Sequence, residues 1–167
     1  MIAETKRLLI TGFTSSMAES VHKNSLDDDN RRFVPDEVFE TIGAAKEAID
    51  VIISFYGKAK SKKPQIYAVI LKESGQQIGH VQAVPIGEEW EIGYHIGNEF
   101  TGNGYATEAV KAFLPEIMQR LDICQIYGIC HGENAASKKV LENCGFKLIS
   151  QRADNMTYSC RVDCDML

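Results

Sequence analysis

The stretch Phe100-Thr-Gly-Asn-Gly-Tyr-Ala-Thr-Glu108 has two glycines one residue apart, between a strand-like segment and a helical one. A glycine-rich turn that opens a helix leaves backbone N–H groups unpaired at the positive end of the helix dipole. Such a turn is typical of a site for a phosphate-bearing ligand. Dinucleotides, nucleoside triphosphates and coenzyme A are all held in this way, so other parts of the chain have to distinguish among them.

The residues around the glycines disfavour two of these ligands. A triphosphate-binding loop needs Lys followed by Ser or Thr after its glycines, whereas this chain has Tyr105 and Ala106. A dinucleotide fingerprint needs a third glycine where Thr107 stands, and it opens a βαβ unit. Glu133 is a weak candidate for the ribose-binding acid of such a site. A lone glycine pair is also compatible with a simple strand-to-helix turn.

The hydrophobic pattern predicts an α+β (mixed α/β) fold. Segments 65–71, 77–84 and 89–96 alternate and are joined by short links, which predicts an antiparallel meander before the turn. Further strands are expected over 7–13, 123–130, 146–151 and 156–162, and helices over 14–22, 43–56, 105–121 and 134–143. The polar segment 24–36 is expected to be a loop, and 58–64 a basic connector.

Composition predicts one globular domain over residues 1–167. The chain is 44% hydrophobic and 25% charged, and its net charge of −5 argues against a nucleic-acid partner. The longest apolar run, 49–56, is too short to span a bilayer, so we expect no membrane partner and a cytoplasmic protein. Five cysteines without a CxxC pair fit a reducing compartment, buried thiols at Cys124, Cys130 and Cys144, and no metal site.

A second segment, Asn134-Ala-Ala-Ser-Lys-Lys-Val-Leu-Glu-Asn-Cys-Gly-Phe146, follows the glycine turn by one helix and one strand. Thr101-Gly-Asn-Gly-Tyr-Ala106 and this segment resemble the two signatures of the GNAT superfamily of N-acetyltransferases. The first is the acetyl-CoA-binding motif, often written Q/R-x-x-G-x-G/A, and Thr101 departs from it. Glu4-Thr-Lys-Arg-Leu-Leu-Ile10 and Ile92-Gly-Tyr-His-Ile96 also resemble the branch that acetylates the N-terminal alanine of ribosomal proteins.

The resemblance, which covers essentially the whole chain, implies how acetyl-CoA would be bound. The family has a mixed, mostly antiparallel sheet, here of about seven strands flanked by about four helices. Its fourth and fifth strands, here 89–96 and 123–130, splay apart, and the pantetheine arm lies between them. The coenzyme-binding residues implied are His95, Ile96, Thr101, Gly102, Asn103, Gly104, Tyr105, Ala106, Thr107, Asn134, Ser137 and Lys138.

The resemblance also implies direct attack of a neutral amine on the thioester, with no covalent enzyme intermediate and no metal. Glu91 is the candidate general base, and an exposed strand carboxylate is the alternative interpretation. Ser137, or a tyrosine near the sulfur, is the candidate acid toward the leaving thiolate. Strand alternation puts His95 on the same face as Glu91, where a structural histidine is expected rather than a proton carrier.

The acceptor is the least determined part of the function. A protein N-terminal amine leads, by the same resemblance, and a small amine such as an aminoglycoside or polyamine is the alternative. In this fold the acceptor groove is walled by 15–56 and 152–155, where the acids 27–29 either attract a cation or are simply solvated. A non-catalytic coenzyme A-binding sensor is the alternative of another class. Homodimers are common in the family.

Overall fold

The computed structural model describes residues 1–57 and 62–162. Within these ranges one sheet of eight strands is combined with five α-helices and three 3-10 helices. The strands are β1 (Ala3–Glu4), β2 (Leu8–Thr11), β3 (Gln65–Leu71), β4 (Gln76–Ile86), β5 (Glu89–Ile96), β6 (Gln125–His131), β7 (Lys147–Arg152) and β8 (Asn155–Arg161). The helices are α1 (Ala18–Ser25), α2 (Asp28–Phe33), α3 (Ile42–Phe55), α4 (Tyr105–Leu121) and α5 (Ala135–Asn143). The start of the predicted connector at 58–64 lies outside the described residues, as does Cys164.

The strand order is β1-β2-β3-β4-β5-β6-β8-β7, and each neighbouring pair is antiparallel except β5 and β6, which are parallel. Strands β4 and β5 pair in continuous register from Gly79 opposite Ile96 to Ile86 opposite Glu89. By contrast, β5 and β6 share the single register pair Glu91 and Tyr127. The two strands therefore separate beyond Glu91, which confirms the splayed pair expected from the resemblance.

The two faces of β5 have different surroundings. Trp90, Ile92 and Ile96 are buried in the main core, which α4 completes with Val110 and Phe113. A smaller apolar cluster on the opposite face joins α1 and α3 to the sheet through Ala18, Ile49 and Ala68. Helices thus cover both faces, and the polar residues of β5 point to the side of α1 and α3.

The segment 24–36 is not the continuous loop that the sequence pattern predicted. It contains the end of α1 and the whole of α2, and a 3-10 helix follows at Pro35–Glu37. In α2 the acids Asp28 and Asp29 lie in the first turn, while Arg31 and Arg32 lie in the last. This polarity complements the helix dipole, so a charge cluster typical of a loop was in fact a helix signal.

The cysteine prediction is partly wrong. Among the described residues Cys130 is a buried free thiol as expected, and Cys144 and Cys160 are free thiols that are only half-buried. Cys124 is disulfide-bonded and is not the expected buried thiol. No helix among the described residues is long and apolar enough to cross a membrane. The same part of the chain holds no group of three His, Cys, Asp or Glu side chains arranged for a metal ion.

Candidate active site

The glycine turn has the backbone conformation that its composition suggested. Gly102 and Gly104 adopt φ values of 78° and 76°, in the left-handed region that favours glycine. Gly104 is also the N-cap of α4, so the first-turn N–H groups of that helix lack partners within the helix. Thr101 and Ala106, on either side of the turn, line a cavity of about 680 Å³. A turn with the backbone conformation of an anion site therefore lies beside this cavity.

Arg7, near the N-terminus, holds the glycine turn in place. The Arg7 guanidinium donates to the Asn103 carbonyl at 3.1 Å and to the Glu108 carboxylate at 2.7 Å. It also lies 4.5 Å from the centre of the Tyr105 ring. The Asn103 side-chain amide donates to the Phe100 and Thr101 carbonyls within the turn, each at 3.1 Å. These contacts fix the direction of the N–H groups that follow.

The gap between β5 and β6 exposes backbone donors. The Gly97 N–H donates to the Ile78 carbonyl of β4 at 2.8 Å. Because N–H groups alternate between the two edges of a strand, those of Tyr94 and Ile96 point the other way, into the gap. The same cavity of about 680 Å³ lies over this gap. Its size lies in the range of about 300–1,000 Å³ that is typical of small-molecule sites.

The start of α5 borders the cavity through Ser137. The Asn134 side chain accepts the Ser137 N–H at 2.9 Å, which makes Asn134 the N-cap of α5. The Tyr94 hydroxyl lies 2.9 Å from both the Ser137 hydroxyl and the Ser137 carbonyl, and burial raises the pKa of Tyr94. Lys138 donates instead to the Gly132 carbonyl at 2.7 Å. Asn134 and Lys138 thus have local structural partners, whereas the hydroxyls of Tyr94 and Ser137 form a pair.

Glu91 lies where β5 and β6 begin to separate. Its carboxylate lines the cavity and accepts a hydrogen bond from the Ile129 N–H across the gap. Burial raises the pKa of Glu91 to about 6, although the Ile129 N–H opposes this shift, and the nearby negative charge of Glu37 adds to it. The carboxylate is not a fully solvated strand residue. It has the environment of a general base that works near neutral pH.

Sequence reasoning missed a polar cluster behind Glu91. Glu37 accepts a hydrogen bond from the Gln82 side-chain amide at 2.9 Å and lies 3.4 Å from His80 Nε2. Burial alone would raise the pKa of Glu37, but the contacts with His80 and Gln82 hold it at about 2. The signal that could have found Glu37 was Pro35, followed by Asp36 and Glu37, which is a helix-start pattern.

His95 belongs to the same cluster, as strand alternation predicted. Its Nε2 lies 3.5 Å from Asp27, whose carboxylate accepts the Asn98 N–H at 2.7 Å. Burial and the neighbouring His80 lower the pKa of His95 to about 4. The imidazole is therefore uncharged at neutral pH, which suits a structural role. Asp27 joins α1 and α2 to the segment that leads into the glycine turn.

The cavity carries more acid than base on its open side. Asp27, Asp28 and Asp29 line it together with Glu37 and Glu91, and Asn155 lines it from the link between β7 and β8. The one arginine among these lining residues, Arg32, is engaged with Glu133 at 2.5 Å. The charge distribution favours a cationic ligand on this side of the gap.

The comparisons with known proteins agree with this architecture. The profile of the GNAT acetyltransferase domain matches residues 7–147. The uncharacterized N-acetyltransferase YnaD of Bacillus subtilis (strain 168) is 28% identical over 145 residues, which cover 86% of this chain and 81% of the relative. Because the family match spans most of the chain, the protein belongs to the GNAT acetyltransferase family and is an N-acetyltransferase.

Solved structures show the same fold. An acetyltransferase of the GNAT family from Bacillus anthracis superposes with a TM-score of 0.81 at 24% identity, covering 96% of this chain and 98% of the other. RimL, a ribosomal L7/L12 α-N-protein acetyltransferase in complex with coenzyme A, also gives a TM-score of 0.81. It is 18% identical and covers 98% of this chain and 99% of its own. GNAT enzymes use acetyl-CoA, and the gap and glycine turn described above fit that substrate.

Proposed function

We propose that this N-acetyltransferase moves the acetyl group of acetyl-CoA to the N-terminal amine of a protein. The observation that carries the proposal is the separation of β5 and β6 beyond Glu91, whose pairing with Tyr127 is the single register pair between the two strands. The gap exposes N–H groups along the unpaired edge of β5. The half-buried Glu91 carboxylate lies at the end of the gap where β5 and β6 still pair. A structural neighbour acts on a ribosomal protein, and the acidic open side of the cavity suits a protonated amine.

The coenzyme would be held by backbone more than by side chains. The N–H groups of Gly102 to Thr107 would bind the pyrophosphate, and the gap edge of β5 at Tyr94 and Ile96 would bind the pantetheine amides, because the His95 N–H points to β4 instead. Thr101 and Asn103 serve the turn itself, since their side chains bind carbonyls inside it. Asn134 and Lys138 support the start of α5 and its preceding loop, so we assign them a smaller role than Ser137.

Glu91 is the general base of the proposed reaction. The acceptor enters as an ammonium ion, and Glu91 takes one of its protons, either directly or through water. The neutral nitrogen then attacks the acetyl carbon, so that a C–N bond forms and the C–S bond of acetyl-CoA breaks. The Tyr94 N–H, which points into the gap, can stabilise the negative charge on the carbonyl oxygen.

The hydroxyl pair of Tyr94 and Ser137 supplies the proton that the leaving thiolate needs. Ser137 lines the cavity, and the Tyr94 hydroxyl is 2.9 Å behind it. Burial keeps Tyr94 protonated, because its raised pKa disfavours the phenolate. The products are an acetylated amine and coenzyme A. The nitrogen loses its second proton after the attack, which replaces the proton given by the hydroxyl pair, and the proton on Glu91 is released to solvent.

An acetylation screen tests the function. Thiol release from acetyl-CoA should be fastest with peptides that carry a free N-terminus, and slower with aminoglycosides and polyamines. The reverse order would favour the small-amine alternative. Background rates with every amine, together with tight acetyl-CoA binding, would favour the sensor alternative. A cytoplasmic location and a homodimer belong to the same proposal, and fractionation and light scattering test them.

The Glu91→Gln variant tests the base. In the wild-type enzyme kcat/KM should rise with pH through about 6, the pKa of Glu91, as the carboxylate becomes able to accept a proton. The variant should lose that limb and about 10²–10⁴-fold in rate. Glu89→Gln is the matched control, since Glu89 is exposed on the same strand. A variant profile that still rises through the same pH would remove Glu91 from this role.

A further inference from the structure

Glu37 is a charged carboxylate that faces the cavity without a lysine or arginine partner in residues 1–57 and 62–162. Its contacts there are Gln82 and His80. Other glutamates in this part of the chain do form ion pairs with Lys or Arg, for example Glu40 with Arg31 and Glu88 with Lys62. The Glu37 side chain is only half-buried, so a cation in the cavity can reach its negative charge. A cation from the substrate would complete the site.

The carboxylate is held in one orientation. Gln82 donates to Glu37 Oε1 at 2.9 Å, and His80 Nε2 lies 3.4 Å from Oε2. Gln82 can lie there because its neighbour across the ladder is Gly93, where a Cβ would come within 2.7 Å of the Gln82 nitrogen. The missing side chain on β5 therefore lets Gln82 extend over the strand toward Glu37. Such fixed groups bind a charge without reorganising.

Glu37 is also close enough to Glu91 to act on it. Both side chains line the same cavity, and the negative charge of Glu37 raises the pKa of Glu91. On β4, Val84 pairs with Glu91 across the ladder, and Gln82, two residues earlier, pairs with Gly93. Two carboxylates with different environments thus face one space, and only one of them titrates near neutral pH.

The other acids of the cavity are less suited to hold a substrate cation. Asp27 is engaged with the Asn98 N–H and with His95. Asp28 and Asp29 are exposed at the cavity mouth, where water screens their charge. Glu37 is held by Gln82 and His80 close to Glu91, and its lowered pKa keeps it ionised at the pH where Glu91 titrates.

We propose that Glu37 is the binding group for the ammonium form of the acceptor, which it holds until Glu91 removes the proton. Glu37 is thus a specificity residue for substrates that arrive positively charged. The same negative charge keeps Glu91 a strong enough base for an amine. The effect of Glu37 on the basicity of Glu91 rests on the proposed role of Glu91 as base. The binding of the ammonium by Glu37 requires only that an amine binds in this cavity.

The groups that set the pH response surround both carboxylates. His80 and Gln82 on β4 and His95 on β5 face Glu37, and the Ile129 N–H on β6 faces Glu91. Asp27 meets His95 from the segment before α2. Replacing Glu37 by glutamine leaves these groups in place and removes one negative charge. The apparent pKa of Glu91 should then fall, because the repulsion that raised it is gone.

The test compares Glu37→Gln with the control Glu40→Gln, which changes an exposed glutamate nearby that pairs with Arg31. With an alanine-initiated peptide and with n-butylamine as acceptors, Glu37→Gln should raise KM at least tenfold while kcat changes less. The acid limb of the pH profile should move downward. Glu40→Gln should match the wild type, and Glu37→Asp should recover part of the affinity.

A pair of unreactive probes separates binding from turnover. One is the alanine-initiated peptide with a trimethylammonium group at its N-terminus, and the other is its neutral isostere with C(CH₃)₃ in place of N(CH₃)₃⁺. By calorimetry in the presence of coenzyme A, wild-type protein should prefer the cation at least tenfold, and Glu37→Gln should lose that preference. If the cation bound equally well to wild type and variant, or the wild type showed no preference, the inference would be overturned, whatever the acetylation screen had shown.

Discussion

Gly93 leaves room on β5 for the side chain of Gln82. Any Cβ at this position would meet the side chain of Gln82, which crosses β5 to reach Glu37. A glycine in the middle of a strand usually weakens it. In this sheet the close approach of a neighbouring side chain accounts for the residue, and the functional arrangement of Glu37 depends on it.

His95 makes stability depend on pH. Its pKa is about 4 in the folded protein, against an ordinary value of 6.5. Between these values the unfolded chain takes up a proton that the folded chain does not. The free energy of unfolding therefore falls as pH falls through this window, by up to about 3 kcal/mol for this residue.

The variant His95→Gln should show a flatter pH dependence. Urea unfolding at pH 7 and pH 4.5 should lose less stability in the variant than in the wild type, because the proton uptake by the unfolded chain is gone. Glu91 has a raised pKa and works in the opposite direction between about 6 and 4.5, so the comparison has to be made between the two proteins. Equal pH dependence would show that His95 is not held uncharged.

At the scale of elements, we predict that the junction between the glycine turn and α4 governs coenzyme binding. Gly104→Val forces a branched side chain into a left-handed conformation, at a cost of about 1–2 kcal/mol. The first-turn N–H groups of α4 should then rotate away from the cavity. By calorimetry we expect acetyl-CoA affinity to fall at least tenfold.

Gly75→Val is the matched control for that variant. Gly75 has a φ of 69° in the turn between β3 and β4, and a Cβ there meets no atom within 4 Å. The strain is therefore similar, but the position lies outside the residues that line the cavity. Its affinity for acetyl-CoA should equal that of the wild type. A similar loss in both variants would point to general destabilisation.

Elements with a strong local pattern could be predicted from the sequence. The alternation in β5 predicts a strand and the apolar face of α4 predicts a helix, because each element buries one side against the core. The helix α2 was missed, because four of its six residues are charged and it shows no apolar periodicity, and the polarity of those charges was its only helix signal. Its position is set by Asp27 and Arg32, which bind Asn98 and Glu133 far along the chain.

Part of the candidate site could be predicted from the sequence, including the side chains of Glu91 and Ser137, which line the cavity. The glycine turn and the gap follow from local sequence and family resemblance. The contact between Glu37 and Gln82 joins residues 45 positions apart, and that between Tyr94 and Ser137 joins residues 43 apart. Side chains that meet across such separations leave no periodic signal. Glu37 was missed for this reason.

At the scale of the whole molecule, the sheet consists of two parts that meet at one register pair. Strands β1 to β5 form one part, and β6 to β8 form the other. A ligand that hydrogen-bonds to both edges of the gap would join them. Acetyl-CoA at 100 times its Kd should stabilise the fold by about 2.7 kcal/mol. The melting temperature should rise by about 5–11 °C.

A thermal scan with and without acetyl-CoA measures this shift. Adenosine 3′,5′-bisphosphate is the control, because it carries phosphate without the pantetheine arm, so it should bind more weakly and give a smaller rise at the same ligand concentration. Hydrogen exchange should slow at Tyr94 and Ile96 with acetyl-CoA alone. Unchanged exchange at these two amides would contradict binding in the gap.

The open edge of β5 also has a consequence for solvent. Backbone N–H and C=O groups that no strand satisfies must be hydrated before a ligand arrives. A ligand with peptide-like amides can replace that hydration one bond for one bond, whereas an apolar chain of the same length cannot. The affinity of this cleft should therefore follow how well a ligand reproduces the hydrogen bonds of displaced water, more than how much surface it covers.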